Sequence, residues 1–417
     1  MQTQDCVHFS LSVLSRRNRQ ACGDTARKNR SHTTQKKFQF VISCGKAAAC
    51  VLKLQTSLAS RSENTLSLGL NYFRSIMTAQ SLQTPPSLTT AFPGGPRLLA
   101  DIGGTNARFA LETAPGKIEA IEVLACAAYP TLAAALVAYL ASPTVAQAGV
   151  TGIRNGAIAI ANPVTGDMVR MTNHHWEFSI EALRREVNFD MLVVVNDFTA
   201  LASSLPQLSA TQKHQVGGGN GIAGTPLGLI GAGTGLGVSG LIPGKDGWTA
   251  LLSEGGHVTF SPANATEVAI LQFAWKEFDH VSAERLMSGA GIELIYRALA
   301  DHTDMPAEKL SAADISRRAL AGECTLCDEV IEAFCCMLGT VAGNLAITLG
   351  AQGGIYIGGG IVPRLGERFD RSGFRARFEA KGRFCHYLSE VPTWVITAEY
   401  PAFVGVSAIL SERLAAA

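Results

Sequence analysis

Three glycine-rich segments, each directly following an apolar run, constrain this chain more than any other feature: Asp101-Ile-Gly-Gly-Thr-Asn106, Gly231-Ala-Gly-Thr-Gly-Leu-Gly237 and Gly358-Gly-Gly360. A turn free of side chains lets backbone N–H groups approach an anion, and such nests hold phosphate. In the first, the run RLLAD leads in and Ala107, Phe109 and Leu111 alternate on the far side, a β-hairpin pattern. Asp101 stands two residues before the first glycine, where its carboxylate can hold a hydrated Mg²⁺. The candidates there are Asp101, Gly103, Gly104, Thr105 and Asn106. The second segment joins two apolar runs, lacks the lysine of a Walker loop and does not open a helix, so the familiar GxGxxG readings do not fit. Gly231, Gly233, Gly235 and Gly237 are candidates for a second phosphate contact, with a hydroxyl donor from Thr234. The third, Gly358, Gly359 and Gly360, ends an apolar strand, and its bare backbone would admit a flat group such as adenine. Any one of these could be an ordinary tight turn; three at strand ends are harder to dismiss.

Alternating strand and helix patterns make the class α/β. Strands are expected over Ile121–Cys126, Gly156–Ala161 and Met191–Val195, and a helix over Thr131–Ala141 capped by Thr131. A polar loop from Leu208 to Thr225 leads to a second hairpin, then to helices near Glu267–Phe278, Ser282–Ala300 and Thr325–Leu349. The run GGIYIGGG reads as the last strand, and Gly405–Leu414 as a helix returning to the first lobe. With 417 residues, two lobes are expected. They comprise a small α/β domain at 96–207, completed by 399–417, and a large one at 208–398. The two hairpins, one opening each lobe, hint at an ancient duplication.

Residues 1–95 are different in kind. They carry 12 of the 35 basic residues and only Asp5, Asp24 and Glu63 of the 34 acidic ones, so the main body is mildly acidic although the whole chain is near neutral at +1. This balance gives no reason to expect a nucleic-acid or membrane partner. The segment is expected to be a disordered or non-native extension, with Met77 a natural start. Its best apolar stretch, Phe38–Leu54, is broken by Lys46 and Lys53. No run in the chain is expected to reach the roughly 18 uncharged apolar residues of a membrane span. The ten cysteines read as reduced thiols of a cytoplasmic protein, and the Cys324/Cys327 spacing, with no second pair to match, as a buried helix face.

Between the phosphate turns, Asn196-Asp197 closes the strand MLVVV, where open α/β sheets place their ligands. A carboxylate there suits a general base, and equally the N-cap of a helix beginning at Phe198. Two further clusters, Ser253-Glu-Gly-Gly-His257 and Ser282-Ala-Glu284, add polar groups. Asn196, Asp197, Glu254, His257 and Glu284 together supply the donors and acceptors that several sugar hydroxyls need. Glu284 also has a helix role, as an acid in a first turn.

In order, DIGGTN, TNHHWEFS, NDFTA, GAGTGLG, EGGH, SAERLMSG and GGGIVPR resemble the bacterial glucokinase family of the hexokinase, acetate kinase and actin-like superfamily, from about Leu98 to the C-terminus. The resemblance implies an actin-like two-domain fold with ribonuclease H-like α/β domains and a cleft between them. It implies transfer of phosphate from ATP to the 6-hydroxyl of glucose, the first step of glycolysis, by a homodimer. Asp101 and its glycines would hold Mg²⁺ and phosphate, Gly231 to Gly237 phosphate, and Gly358 to Gly360 adenosine. Asn196, Asp197, Glu254, His257 and Glu284 would bind sugar, with Asp197 the base. The related repressor and sugar-kinase group carries a cysteine-rich zinc motif after its EGGH histidine; Val258–Glu267 contains no cysteine, so no structural zinc is expected. A sugar-responsive repressor would need a helix-turn-helix, and residues 1–95 show no pair of amphipathic helices around a short turn. A kinase for another hexose or for an acyl phosphate is the other alternative.

Overall fold

The structure is a computed structural model that describes residues 38–42, 50–54, 92–245 and 247–417. It comprises two units, Met1–Thr89 and Thr90–Ala417. In the first, strands Phe38–Ile42 and Cys50–Leu54 pair antiparallel. Otherwise the expectation that residues 1–95 lack native order falls, up to residue 91, outside the described residues.

The second unit contains two principal sheets. The first is made of β1 (Arg97–Ile102), β2 (Asn106–Ala114), β3 (Lys117–Ala125), β4 (Asn155–Ile160) and β5 (Met191–Asn196), in the order β3-β2-β1-β4-β5. The second is made of β6 (Lys213–Val216), β7 (Leu227–Ala232), β8 (Leu236–Gly244), β9 (Gly247–Ala250), β10 (Gly354–Gly358) and β11 (Thr393–Ile396), in the order β6-β11-β10-β7-β8-β9. In each, an antiparallel hairpin turns on a glycine-rich segment and its first strand lies parallel to a later one: β1 to β4, and β7 to β10. Five strands of the second sheet thus repeat the order and directions of the first, with β6 added antiparallel at the edge. This is the arrangement that a duplication would leave.

Both faces of the first sheet are covered, as the period of two in β1 requires. Leu98, Ala100 and Ile102 join Phe109, Tyr139 and Trp176 in one apolar cluster, while Leu99 joins Ala157, Ala159, Phe403 and Leu410 in another. The second cluster is closed by the C-terminal helix α6 (Pro401–Ala416). Buried Arg97 bonds Ser411, and Ser407 bonds Glu112, so polar side chains also tie this helix to the sheet. It crosses α2 (Asp197–Ser204) so closely that a Cβ on Gly405 would lie 1.7 Å from the Ala200 carbonyl oxygen. Helix α2 in turn offers Phe198, Leu201 and Ala202 to Leu229, Tyr356 and Ile396 of the second sheet. A single short helix therefore lies against both layers.

Several expectations need correcting. Strand β11 follows GGIYIGGG, and β6 lies within the stretch expected to be loop. Ser282–Ala300 is two helices, α3 (Ala283–Leu286) and α4 (Gly289–His302), because Ser288 caps the second by accepting from Gly291 N–H. Helix α5 (Thr325–Leu349) is long and apolar enough, by length and composition, to cross a membrane, contrary to the sequence expectation. Its apolar side is the core of the second layer: Val330, Phe334, Leu338 and Ala342 are fully buried. Its N-cap is Cys324, whose Sγ accepts from Cys327 N–H, so of the pair expected on a buried helix face only Cys327 is buried on the helix, and Cys324 is its half-buried cap. Thr131 caps helix α1 (Leu132–Leu140), as expected.

Candidate active site

Strands β1, β4 and β5 run parallel and in register, with Ile102 beside Ile160 and Ile160 beside Asn196. Their carboxyl ends bring Asp101, Asn196 and Asp197 together. Asn196, not Asp197, is the N-cap of α2: its Oδ1 accepts from Phe198 N–H at 2.9 Å and Thr199 N–H at 3.2 Å. The helix starts one residue earlier than the sequence suggests, which releases Asp197 from capping duty. The Asn196 amide nitrogen donates to the Asn162 carbonyl and to Asp197 Oδ1, so it orients the carboxylate. Asp197 Oδ1 also accepts from Phe198 N–H, while Oδ2 has no partner among the described residues.

Burial, and then the nearby charge of Asp101, push the Asp197 carboxyl up to about 6, against the hydrogen bonds that favour its ionised form. Asp101 is likewise raised by burial, which outweighs its 3.0 Å ion pair with Arg108. Asp101 Oδ1 is free among the described residues. The half-buried Asp101 carboxylate, with one open oxygen, suits a hard divalent cation that keeps most of its water, as Mg²⁺ does when phosphates supply the remaining ligands. Among the described residues no group of three His, Cys, Asp or Glu is gathered for a metal. The first glycine turn is closed by Gly103 N–H donating to the Asn106 carbonyl, with the Thr105 carbonyl accepting from Cys126 N–H. Asn173, from the TNHHWEFS segment, lies over Gly104, where a Cβ would come within 3.0 Å of it.

The second glycine segment divides by role. Gly231 and Gly237 face each other across β7 and β8, and a Cβ on either would strike the Phe198 ring, at 2.8 and 2.1 Å. They make room for the residue after Asp197, which was not evident from sequence. Gly233, by contrast, has open space where a Cβ would be, as a ligand-facing turn requires. Glu284 Oε2 accepts from Leu236 N–H at 2.9 Å, and His257 Nδ1 stands 4.0 Å from Glu284 Oε1. Thr234, Glu284 and Arg285 line a cleft with Phe278, and His257 lines an adjoining one with Glu284. Glu254 is exposed at the start of the Gly255–His257 turn and bonds none of the others through its side chain among the described residues. The third segment meets the second: Gly358 pairs with Gly231, Ile361 N–H donates to the Ala232 carbonyl, and Gly359 has φ +79° with its Cβ position 2.2 Å from that carbonyl oxygen. Gly359 is thereby required by backbone conformation and close approach, while Gly360 lies open apart from the end of Arg364.

Sequence reasoning missed Phe198, Asn162 and Leu236 as supports of this site. The first lay inside the quoted NDFTA motif; the other two carried no signal, since they act through backbone groups.

A family model described as Glucokinase matches residues 98–413. The chain is 53% identical over 329 residues to the glucokinase of Chromobacterium violaceum, covering 79% of this chain and 93% of that protein. It is 58% identical over 333 residues to the "Bifunctional protein glk" of Burkholderia pseudomallei, covering 80% of this chain but 51% of that protein. The chain thus spans about half the length of such bifunctional relatives. The crystal structure of a glucokinase from an Antarctic psychrotroph is similar with a TM-score of 0.70 and 36% identity, covering 76% of this chain and 99% of that one. The glucokinase of Balamuthia mandrillaris, at 18% identity and TM-score 0.62, covers 84% of this chain and 99% of its own and shares the fold. The glycine turns, the strand-end aspartates and these matches lead to one conclusion: the chain belongs to the glucokinase family and has its two-lobed sugar-kinase fold.

Proposed function

We propose that this chain transfers the γ-phosphoryl group of ATP to the 6-hydroxyl of glucose, the first step of glycolysis, with Asp197 as general base. The observation that carries the proposal is Asp197 itself: a half-buried carboxylate with one free oxygen, raised to about 6, at the ends of parallel strands beside a glycine-rich turn. Family membership and the glucokinase names of the relatives support the substrates. In the reaction the sugar O6 forms a bond to the γ-phosphorus, the bond from that phosphorus to the β,γ-bridging oxygen breaks, ADP leaves, and the O6 proton passes to Asp197 Oδ2.

A sugar hydroxyl is nearly as weak an acid as water, with a pKa of about 16, so even a carboxylate raised to about 6 cannot deprotonate it in advance. Proton transfer comes late, and most of the acceleration lies in alignment and charge neutralisation across a loose transition state. Asp101 would hold a hydrated Mg²⁺, which when bound supplies part of that neutralisation. Gly103 to Asn106 and Gly233 to Gly235 would receive phosphates, and Gly358 to Gly360 the adenosine. Asn196 would orient Asp197 as well as meet the sugar, and Glu254, His257 and Glu284 would bind its hydroxyls. Water is as good a nucleophile as a sugar hydroxyl. We therefore propose that 96–207 with 399–417 and 208–398 act as lobes that close on glucose before transfer, hinged near Leu205–Leu208 and Glu399–Val404. Compaction on adding glucose, read by small-angle scattering, tests the closure. We further propose a cytoplasmic homodimer, for which light scattering of the purified chain gives the mass.

The deciding experiment is ADP release with glucose, mannose, fructose and N-acetylglucosamine, for the full chain and for Asp197→Ala. Glucose-dependent release that is lost in the variant supports substrate and base together. A folded wild-type chain that turns over none of these sugars overturns the proposal.

A further inference from the structure

The second glycine-rich turn and the sugar-side acid share one carboxylate. Glu284 Oε2 is bonded to Leu236 N–H at 2.9 Å, directly after the Gly233-Thr234-Gly235 turn. The fit is close: a Cβ on Gly235 would lie 2.4 Å from that oxygen. The other oxygen, Oε1, stands 4.0 Å from His257, and the side chain is 34% exposed. No Lys or Arg forms an ion pair with Glu284 among the described residues. The opposite end of the same turn is held too, since the Gly233 carbonyl accepts from Gly289 N–H at 2.9 Å. Both grips come from α3 and the start of α4. The break between those helices directs Glu284 to one end of the turn and Gly289 to the other.

A negative charge bonded to one end of a turn opposes a polyphosphate arriving there. Hydroxyls that donate to Oε1 would disperse that charge and hold the side chain in place. We propose that Glu284 couples the two substrate sites: a hexose on its free oxygen favours nucleotide on the turn that its other oxygen holds. The inference rests on the reading above, in which Glu284 meets the sugar and the turn meets phosphate. By linkage the coupling is reciprocal, nucleotide tightening hexose by the same factor. Its consequence is protection of ATP from transfer to water when no sugar is bound.

The experiment is calorimetric titration of the full chain with a non-hydrolysable ATP analogue and Mg²⁺, with and without saturating glucose. It uses wild type, Glu284→Gln and Gly235→Ala. Glucose is expected to tighten analogue binding to wild type by roughly 5- to 150-fold. Glu284→Gln keeps the shape and removes the charge, so it should bind the analogue several-fold more tightly without glucose and lose most of the coupling. Gly235→Ala pushes aside the flexible end of Glu284, so it should weaken glucose binding although Gly235 belongs to the phosphate turn, and should lose the coupling as well. If Gly235→Ala does not fold, the isosteric Glu284→Gln decides. Wild-type coupling retained in Glu284→Gln, or glucose-free analogue binding weaker than wild type in that variant, overturns the inference. A wild type that binds both ligands without coupling also overturns it while leaving the kinase reading intact, whereas a wild type that binds the analogue but no hexose sinks that reading itself.

Discussion

The two sheets share one arrangement of five strands and put different chemistry at corresponding ends. At the end of the first, Asp101 and Asp197 are half-buried, their neighbours set by strand register, by the Asn196 cap and by α6 behind them. Around the hairpin turn of the second, the polar groups come from elements outside the sheet. Glu254 and His257 are exposed, and Glu284 reaches the turn from a four-residue helix. Under the proposed roles, this difference divides the labour. A base whose proton affinity must be tuned needs a dry site that the scaffold over-determines. Groups that recognise a soluble sugar must stay accessible until it arrives, at the cost of being poorly fixed beforehand.

Four measurements test whether the two regions differ in this way. The largest effect is expected at the first sheet: Asp197→Asn should lower kcat by about 10²- to 10⁴-fold with near-ultraviolet circular dichroism unchanged, because it would remove the proposed base and keep the shape. The same substitution should act on stability with a definite sign. Asp197 is raised in the folded chain, so its contribution is fully present below the unfolded value near 4 and lost as pH rises through about 6. Asp197→Asn should therefore raise Tm at pH 8 and leave it little changed at pH 4, with a gain of at most about 3 kcal/mol. An equal gain at both pH values would show that burial of the charge is not the cause. Scaffold damage comes next. Gly405→Ala sets a methyl against the Ala200 carbonyl and should cost about 1–3 kcal/mol in denaturant unfolding, lowering kcat through α2. Wild-type stability in that variant would mean that the crossing of α6 and α2 is looser than described. The smallest effect on the fold is expected in the second region. Glu254→Ala should raise KM for glucose about 10- to 100-fold with Tm unchanged, as loss of a charged hydrogen bond to ligand at an exposed site. A fall in Tm would place Glu254 among the structural groups instead.

Much of this was legible beforehand because it is local. The hairpin at Asp101, the Thr131 cap, the extent of α5 and the strand end at Asn196 follow from alternation, capping chemistry and helical period, which neighbouring residues impose on one another. Where local reading failed, a distant group had intervened or a local cap had gone unread. Residues 282–300 carry one amphipathic pattern, yet Ser288 caps a new helix and Gly289 N–H is drawn to the Gly233 carbonyl. Strand β6 has little apolar pattern of its own and exists because β11 offers it an edge.

At the candidate site the same division holds residue by residue. Residue types and adjacent positions alone showed which chemistry was on offer: acids at strand ends, glycines at turns, and polar side chains able to donate to and accept from hydroxyls. Only the tertiary structure decided that Asn196 takes the cap and frees Asp197, and that Gly231 and Gly237 serve the Phe198 ring. It alone decided that Glu284, expected only as a sugar ligand or a first-turn acid, bonds the Leu236 N–H beside the second glycine turn. The glycine and Glu284 contacts are contests for one volume or one hydrogen bond between residues far apart in the chain, and the cap is a contest between two neighbours that both have capping side chains; linear order carries no information about who wins either.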